Sequence, residues 1–200
     1  MEEFPPLVAR ALALAQQAAF PLTREEAGPS RASACLPDTG RFLAMLAAGC
    51  TGGRIGELGT GAGIGTGWIA SAMPGDCTLI TAEIDESLAS KVRELLADDP
   101  RVDVITGDAV SAMSSRGPFD LLFADSGVRD DADFAALVSL LRPGGRIVMD
   151  DVTPRRALAP NSPLLTDDLK RRYFASNELV FTEVVLPDLR NSLLVGTRTS

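Results

Sequence analysis

The chain has 200 residues, 46% of them hydrophobic and 23% charged, with a formal net charge of −8 and no histidine. That length suits one globular α/β domain, and the acidic balance argues against a broad surface that tracks nucleic-acid phosphates, because such binding rests on Lys and Arg. Without an imidazole, Ser-His-Asp hydrolases, HExxH zinc enzymes and most zinc hydrolase sites are excluded, so chemistry must run on carboxylates, hydroxyls, thiols or a cofactor.

The first 50 residues read as two helices, about 5–19 and 38–48, flanking "PLTREEAGPSRASACLP", a stretch rich in Pro, Gly and Ser that reads as an exposed loop or lid. The opening "MEEFPPLVAR" is acidic, and no apolar run nears the length of a bilayer span, so neither a signal peptide nor a membrane segment is expected. Short apolar runs then alternate with helical patterns: strands at 54–58, 78–83, 102–107, 119–125 and 146–151, with helices at 64–73, 85–99, 109–115 and 131–141 between them. Leu88, Val92, Leu95 and Leu96 recur at helical spacing, Asp85 suits the N-cap of their helix, and Pro100 marks its stop. Helical crossovers of this length imply parallel strands in a doubly wound, Rossmann-like α/β sheet. The runs 178–187 and 192–198 are joined by only Asp188, Leu189, Arg190 and Asn191, which is too short for a crossover and predicts an antiparallel C-terminal pair. Residues 1–50 are thus read as N-terminal helices and lid of the same domain, and 51–200 as the core. Cys35, Cys50 and Cys77 have no CxxC spacing and read as buried thiols in a reducing cytoplasm. "KRR" at 170–172, and Arg155 with Arg156, read as solvated basic residues.

"ELGTGAGIG" at 57–65 follows the first of these strands. In a doubly wound sheet, ligands bind beyond the C-terminal strand ends where strand order reverses. A nicotinamide fingerprint needs GxGxxG/A at the strand exit, and starting from Gly59 or Gly61 the third position is Ile64 or Thr66; Gly65, Gly67 and Ala70 match only inside the following helix. What remains is an acid followed by alternate glycines: Glu57, then Gly59, Gly61 and Gly63 around Thr60. A carboxylate there is a poor neighbour for pyrophosphate and a good one for a cationic amino group. Glu83, before Ile84, ends the second strand where a ribose-binding acid would lie, with Asp85 as the alternative contact, and Asp108 could accept from an adenine amino group or simply cap the next helix. A ligand with an amine, a ribose and an adenine but no phosphate is S-adenosylmethionine.

These residues, with the "AEID" strand tip, "FDLLFAD", "LLRPGGRIVMDDV" and the closing "LVGTR", resemble the class I S-adenosylmethionine-dependent methyltransferases, and within them the catechol and caffeoyl-CoA O-methyltransferase-like family, over residues 30–198. The resemblance implies an enzyme transferring a methyl group to a hydroxyl of a small, aromatic molecule. It places Glu57 and Gly59, Thr60, Gly61 and Gly63 against the methionine moiety, Glu83 and Ile84 at the ribose, and Asp108 with Ala109 around adenine.

Asp125 ends the fourth strand and Asp150 and Asp151 the fifth, and three converging carboxylates need raised pKa values, a cation or outward rotation. In the resembling family the matching positions hold a divalent, Mg²⁺-type ion, and oxygen-only ligands suit a hard cation. Asp125 is accordingly the candidate catalytic residue as well as a cofactor and metal contact. Two departures stand out: Asp151 replaces the family's Asn, and Val128 stands where the family has a catalytic lysine, with only Arg129, a poor base, beside it. A metal-free transfer by proximity and a cofactor-binding protein without turnover therefore remain open alternatives, and a nicotinamide dehydrogenase is disfavoured by Glu57. Partners read as a small hydroxylated substrate, no nucleic acid and no membrane, with a homodimer as one assembly. The stretches 28–38 and 153–166 flank the site, and Phe42 and Trp68 read as core.

Overall fold

The computed structural model describes residues 4–28, 32–125, 131–152, 173–187 and 191–200, with the side chains of Asp131 and Asp151 excepted. Val128, Arg129, the segment 153–166, the basic residues Arg155, Arg156 and 170–172, and the turn residues 188–190 lie outside them.

Three helices come first: α1 (Pro6–Gln17), α2 (Arg24–Ala27) and α3 (Pro37–Ala48). Then β1 (Arg54–Leu58), α4 (Ile64–Ala72), β2 (Thr78–Glu83), α5 (Glu86–Leu95), β3 (Val102–Thr106), α6 (Ala109–Met113), β4 (Phe119–Ala124), α7 (Asp131–Leu140) and β5 (Leu141–Val152) alternate, and β6 (Leu179–Val185) and β7 (Ser192–Arg198) close the chain. The sheet order is β3-β2-β1-β4-β5-β7-β6, with parallel pairs from β3 to β5 and antiparallel pairs β5–β7 and β6–β7. This is the expected doubly wound sheet with its antiparallel C-terminal pair. The chain runs from β1 outward to β3, then returns to the other side of β1 as β4, so strand order reverses between β1 and β4.

β1 is buried at Ile55, Gly56, Glu57 and Leu58, as a central parallel strand covered on both faces must be. On α5, Ala89 and Val92 turn inward, and the Asp85 carboxylate caps the helix by accepting from the Ser87 and Leu88 amides at 2.8 and 3.1 Å. The helix stops at Leu95, short of the expected 99, and Asp99 pairs instead with Arg101, whose guanidinium donates to the Ala70 and Met73 carbonyls near the end of α4. β5 begins five residues earlier than the apolar run at 146–151 predicts, because Leu141 pairs with Phe119 across a register shift. Gly145 permits this: a Cβ there would lie 2.7 Å from the Phe119 carbonyl.

The stretch read as an exposed loop contains α2. Thr23 accepts from the Glu26 amide while the Glu26 carboxylate accepts from the Leu22 amide at 2.8 Å, a reciprocal cap that holds even one turn of helix. Ala27 and Cys35 are buried, so much of this stretch packs down onto the domain. Val8, Ala11 and Ala15 of α1 and Leu43 and Ala47 of α3 share one apolar core with Ile55, Leu121 and Phe123 of the sheet.

Trp68 of α4 is the centre of the helical layer. It is buried against Phe4 edge-on, with the Arg41 guanidinium 5.7 Å over its ring. α3 reaches it only because residue 40 is glycine, since a Cβ there would lie 2.1 Å from the indole nitrogen. Gly40→Ala is therefore expected to destabilise the fold by about 1–3 kcal/mol through overpacking, read as a lower midpoint in thermal or urea unfolding; an unchanged midpoint would show that α3 can shift freely off the indole.

Candidate functional site

At the C-terminal edge of β1 the chain turns over Gly59, Gly61 and Gly63 with φ of +96°, +53° and +82°, a conformation that side-chain-bearing residues rarely adopt. The Gly59 and Thr60 amides both donate to the Ala82 carbonyl, and the Gly61 amide donates to the Glu83 carboxylate at 2.8 Å. The other Glu83 oxygen accepts from the Asp85 amide at 3.0 Å. Glu83 thus ties the turn to the tip of β2 and still has lone pairs for further donors. Beside it Ile84 is 75% exposed, an apolar side chain at a strand tip where a flat ring could cover it.

The glycines make room for protein more than for a ligand. An added Cβ at Gly61 would meet the Phe20 ring at 2.9 Å, one at Gly63 would meet Val92 at 3.1 Å, and one at Gly65 would meet the Glu57 carboxylate at 2.5 Å. At these three positions the missing side chain leaves room for Phe20, Val92 and Glu57 to pack against the backbone.

Glu57 points into the interior, 1% exposed. Its Oε2 accepts from the Thr66 hydroxyl and, at 2.6 Å, from the Thr81 hydroxyl, while Thr60 and Thr81 hydroxyls lie 2.6 Å apart. Burial pushes its carboxyl up to about 7, the two hydroxyl donors oppose the shift, and the nearby Glu83 charge adds to it. Its bonds run to hydroxyls of two elements, α4 and β2.

Asp85 caps α5 through Oδ1 alone, while both Glu83 oxygens accept from backbone amides, so the two acids stand side by side at the β2 tip. Asp108 caps α6 by accepting from the Ser111 amide at 3.0 Å and remains exposed beside Ala109, the first residue of that helix.

The second group of acids lies across the strand-order reversal. The Asp125 amide donates to the Leu58 carbonyl at 3.0 Å, which places the end of β4 beside the glycine turn. Asp150 lies in β5, and the Asp151 side chain and Val128 are outside the described residues. β4 and β5 are paired, so Asp125 follows one strand and Asp150 lies in its neighbour, and Cys35, expected only as a buried thiol, responds to both charges. Its thiol is pushed well above the usual range by burial and then by the charges of Asp125, Asp150 and Glu57. The signal in the sequence was the apolar "ACL" inside a polar linker. Among the described residues no group of three or more Cys, Asp or Glu side chains is arranged to hold a metal ion, and no helix is long and apolar enough to cross a membrane.

A family described as a methyltransferase domain matches residues 57–152. The chain is 36% identical over 125 residues to a catechol O-methyltransferase of Niastella koreensis, covering 58% of this chain and 57% of that protein. It is 33% identical over 151 residues to a putative O-methyltransferase of Mycobacterium avium, covering 72% of this chain and 68% of that one. In each case the match spans only part of the relative's own length. Among solved structures, the O-methyltransferase involved in tomaymycin synthesis from Streptomyces achromogenes, in complex with S-adenosylmethionine, superposes with a TM-score of 0.76 at 22% identity over 99% of this chain and 92% of that chain. An O-methyltransferase from Bacillus cereus in complex with S-adenosylhomocysteine gives 0.76 at 22% identity, over 100% and 93%.

The buried Glu57 carboxyl makes stability depend on pH. Its folded value of about 7 lies above the ordinary 4.5, so the folded state binds more protons between these values and stability falls as pH rises through that window. The penalty is complete above pH 7 and amounts to about 3 kcal/mol. Replacing it in Glu57→Gln should remove this slope: the difference in unfolding free energy between variant and wild type moves in the variant's favour by about that amount from pH 5 to pH 8. A difference that stays flat across the range would mean that Glu57 does not titrate there.

Proposed function

The chain belongs to the class I S-adenosylmethionine-dependent methyltransferases of the catechol and caffeoyl-CoA O-methyltransferase type, and from that membership we propose that it binds S-adenosylmethionine and transfers the methyl group to a hydroxyl of a small, aromatic molecule. One observation carries the reading: the glycine turn at the strand-order reversal has the Glu83 carboxylate at its rim, bonded to the Gly61 amide, an arrangement hostile to phosphate and suited to a cationic, hydroxyl-bearing ligand.

In this proposal Glu83 uses its remaining lone pairs to accept from the ribose hydroxyls, and Ile84 covers one face of the adenine. Asp108 and Ala109 border the adenine edge, and the backbone of Gly59, Thr60, Gly61 and Gly63 above Glu57 lies against the methionine part. When bound, S-adenosylmethionine would supply the methyl group and leave as a neutral thioether, with the acceptor hydroxyl giving up its proton to solvent. The protein's contribution is to hold the acceptor beside the turn, and Asp125, whose backbone amide donates a hydrogen bond to the Leu58 carbonyl there, is the residue proposed to do so. Asp125 and Asp150, whose charges both reach Cys35, with Asp151 as a third oxygen donor, would hold a divalent cation such as Mg²⁺, and that ion would favour the ionised acceptor hydroxyl. The net charge of −8 supports a small-molecule acceptor over a nucleic acid. Val128 at the family's lysine position favours one second reading, cofactor binding without turnover.

Calorimetry with S-adenosylhomocysteine tests the site. Wild type should bind, and Glu83→Ala should lose roughly tenfold to a hundredfold in affinity, because a charge-assisted contact of about 1.5–3 kcal/mol is removed; equal affinity would take Glu83 out of the site. Turnover of catechol with S-adenosylmethionine tests the chemistry: activity should vanish in EDTA and return with Mg²⁺. Full activity in chelator would end the metal proposal, and binding without turnover across a panel of hydroxylated aromatics would favour the second reading.

A further inference from the structure

Beneath the glycine turn, three threonines from three elements meet one carboxylate. Thr60 belongs to the turn, Thr66 to the first turn of α4 and Thr81 to the middle of β2, and their exposures are 4%, 0% and 0%. Each hydroxyl has a single proton to donate. Thr66 gives its proton to Glu57, and Thr81 gives its proton to the same Oε2 of Glu57. With the Thr81 proton committed, the 2.6 Å contact between Thr60 and Thr81 can be made only if Thr60 donates. While Glu57 is ionised the chain of bonds therefore has one direction, from Thr60 to Thr81 to Glu57, with Thr66 arriving from the other side.

This direction matters for the turn. Gly59 and Gly61, on either side of Thr60, have positive φ and no side chains, so Thr60 provides the side-chain tie between the start of the turn and the sheet. The backbone tie to Ala82 and the Glu83 bond to the Gly61 amide hold the same segment from the rim. We propose that Thr81 is a positioning residue for the nucleoside ligand: buried and out of reach of solvent, it acts through Thr60 and Glu57 to hold the glycine turn in the pose that presents its backbone and Glu83 to the ligand. The identity of that ligand rests on the function proposed above; the mechanical role of Thr81 in the turn does not.

Valine matches threonine in shape but cannot donate or accept. In Thr81→Val the Thr60 hydroxyl is left buried without its acceptor and Glu57 loses one of its two donors, so the turn has reason to leave its pose. Thr81→Ser keeps the hydroxyl. The experiment measures S-adenosylhomocysteine affinity by calorimetry and amide hydrogen exchange by mass spectrometry in the ligand-free protein. It compares wild type, Thr81→Val, Thr81→Ser, Thr60→Val and the double valine variant. Thr81→Val should bind about tenfold more weakly and Thr81→Ser within about twofold of wild type. Thr60→Val should weaken binding in the same direction, and the double variant should be no weaker than Thr81→Val by more than about twofold, because both changes cut one chain. Exchange at residues 59–63 should rise in both single valine variants, while β4 keeps its protection. Wild-type affinity and exchange in Thr81→Val, an equal loss in Thr81→Ser, or additive losses in the double variant would each overturn the proposal. If wild type does not bind S-adenosylhomocysteine, the proposed function falls, and the exchange comparison still decides the role of Thr81. If Thr81→Val does not fold, Thr60→Val carries the same comparison.

Discussion

A carboxylate removed from water at the tip of the first strand is the constraint around which this domain is arranged. Burying an ionised group without partners is prohibitive, so Glu57 has to be ringed by donors, and it finds them in the hydroxyls of Thr66 and Thr81. Those partners come from α4 and β2, so β1, its own helix and its neighbouring strand are pinned at one point. Glycine at 65 follows from the same packing, because the helix must pass within contact distance of the carboxylate. Even so, two hydroxyls do not replace bulk water, and the carboxyl remains near neutrality in its titration.

Around that anchor, topology does the gathering. Strand order reverses between β1 and β4, and Glu83, Asp108, Asp125 and Asp150 all stand at or near the C-terminal ends of parallel strands, the same edge of the sheet. The N-terminal segment closes over the same edge, with Phe20 on the glycine turn and Cys35 within the field of three carboxylates. That segment is also part of the core, since α1 and α3 share apolar packing with the strands they sit on.

Family membership and chemistry rest on different residues. The glycine turn, the acid beneath it and the acid at the β2 tip carry the resemblance to the family and, in the proposed function, the nucleoside side. On the proposed acceptor side the sequence departs from the resembling family, with Asp151 for asparagine and Val128 for lysine. A fold can host many reactions, so these departures bear on turnover and acceptor choice more than on the cofactor.

Much of the architecture was legible because short apolar runs separated by helical periodicity imply parallel crossovers, and because the residues between 187 and 192 are too few for one. The helix at Arg24–Ala27 carried its own sign, Thr23 followed by Glu26, but the surrounding Pro, Gly and Ser outweighed it as a reading. The early start of β5 depended on a close backbone approach at Gly145, a long-range event with no local periodicity. By itself the sequence determined which residues are acids, glycines and threonines and in what order they leave the strands. Only the tertiary structure decided which way each one faces. β1 is buried on both sides, so alternation along the strand has no solvent face to read, and whether Glu57 met a ligand or the core depended on hydroxyls nine and 24 residues away in the chain.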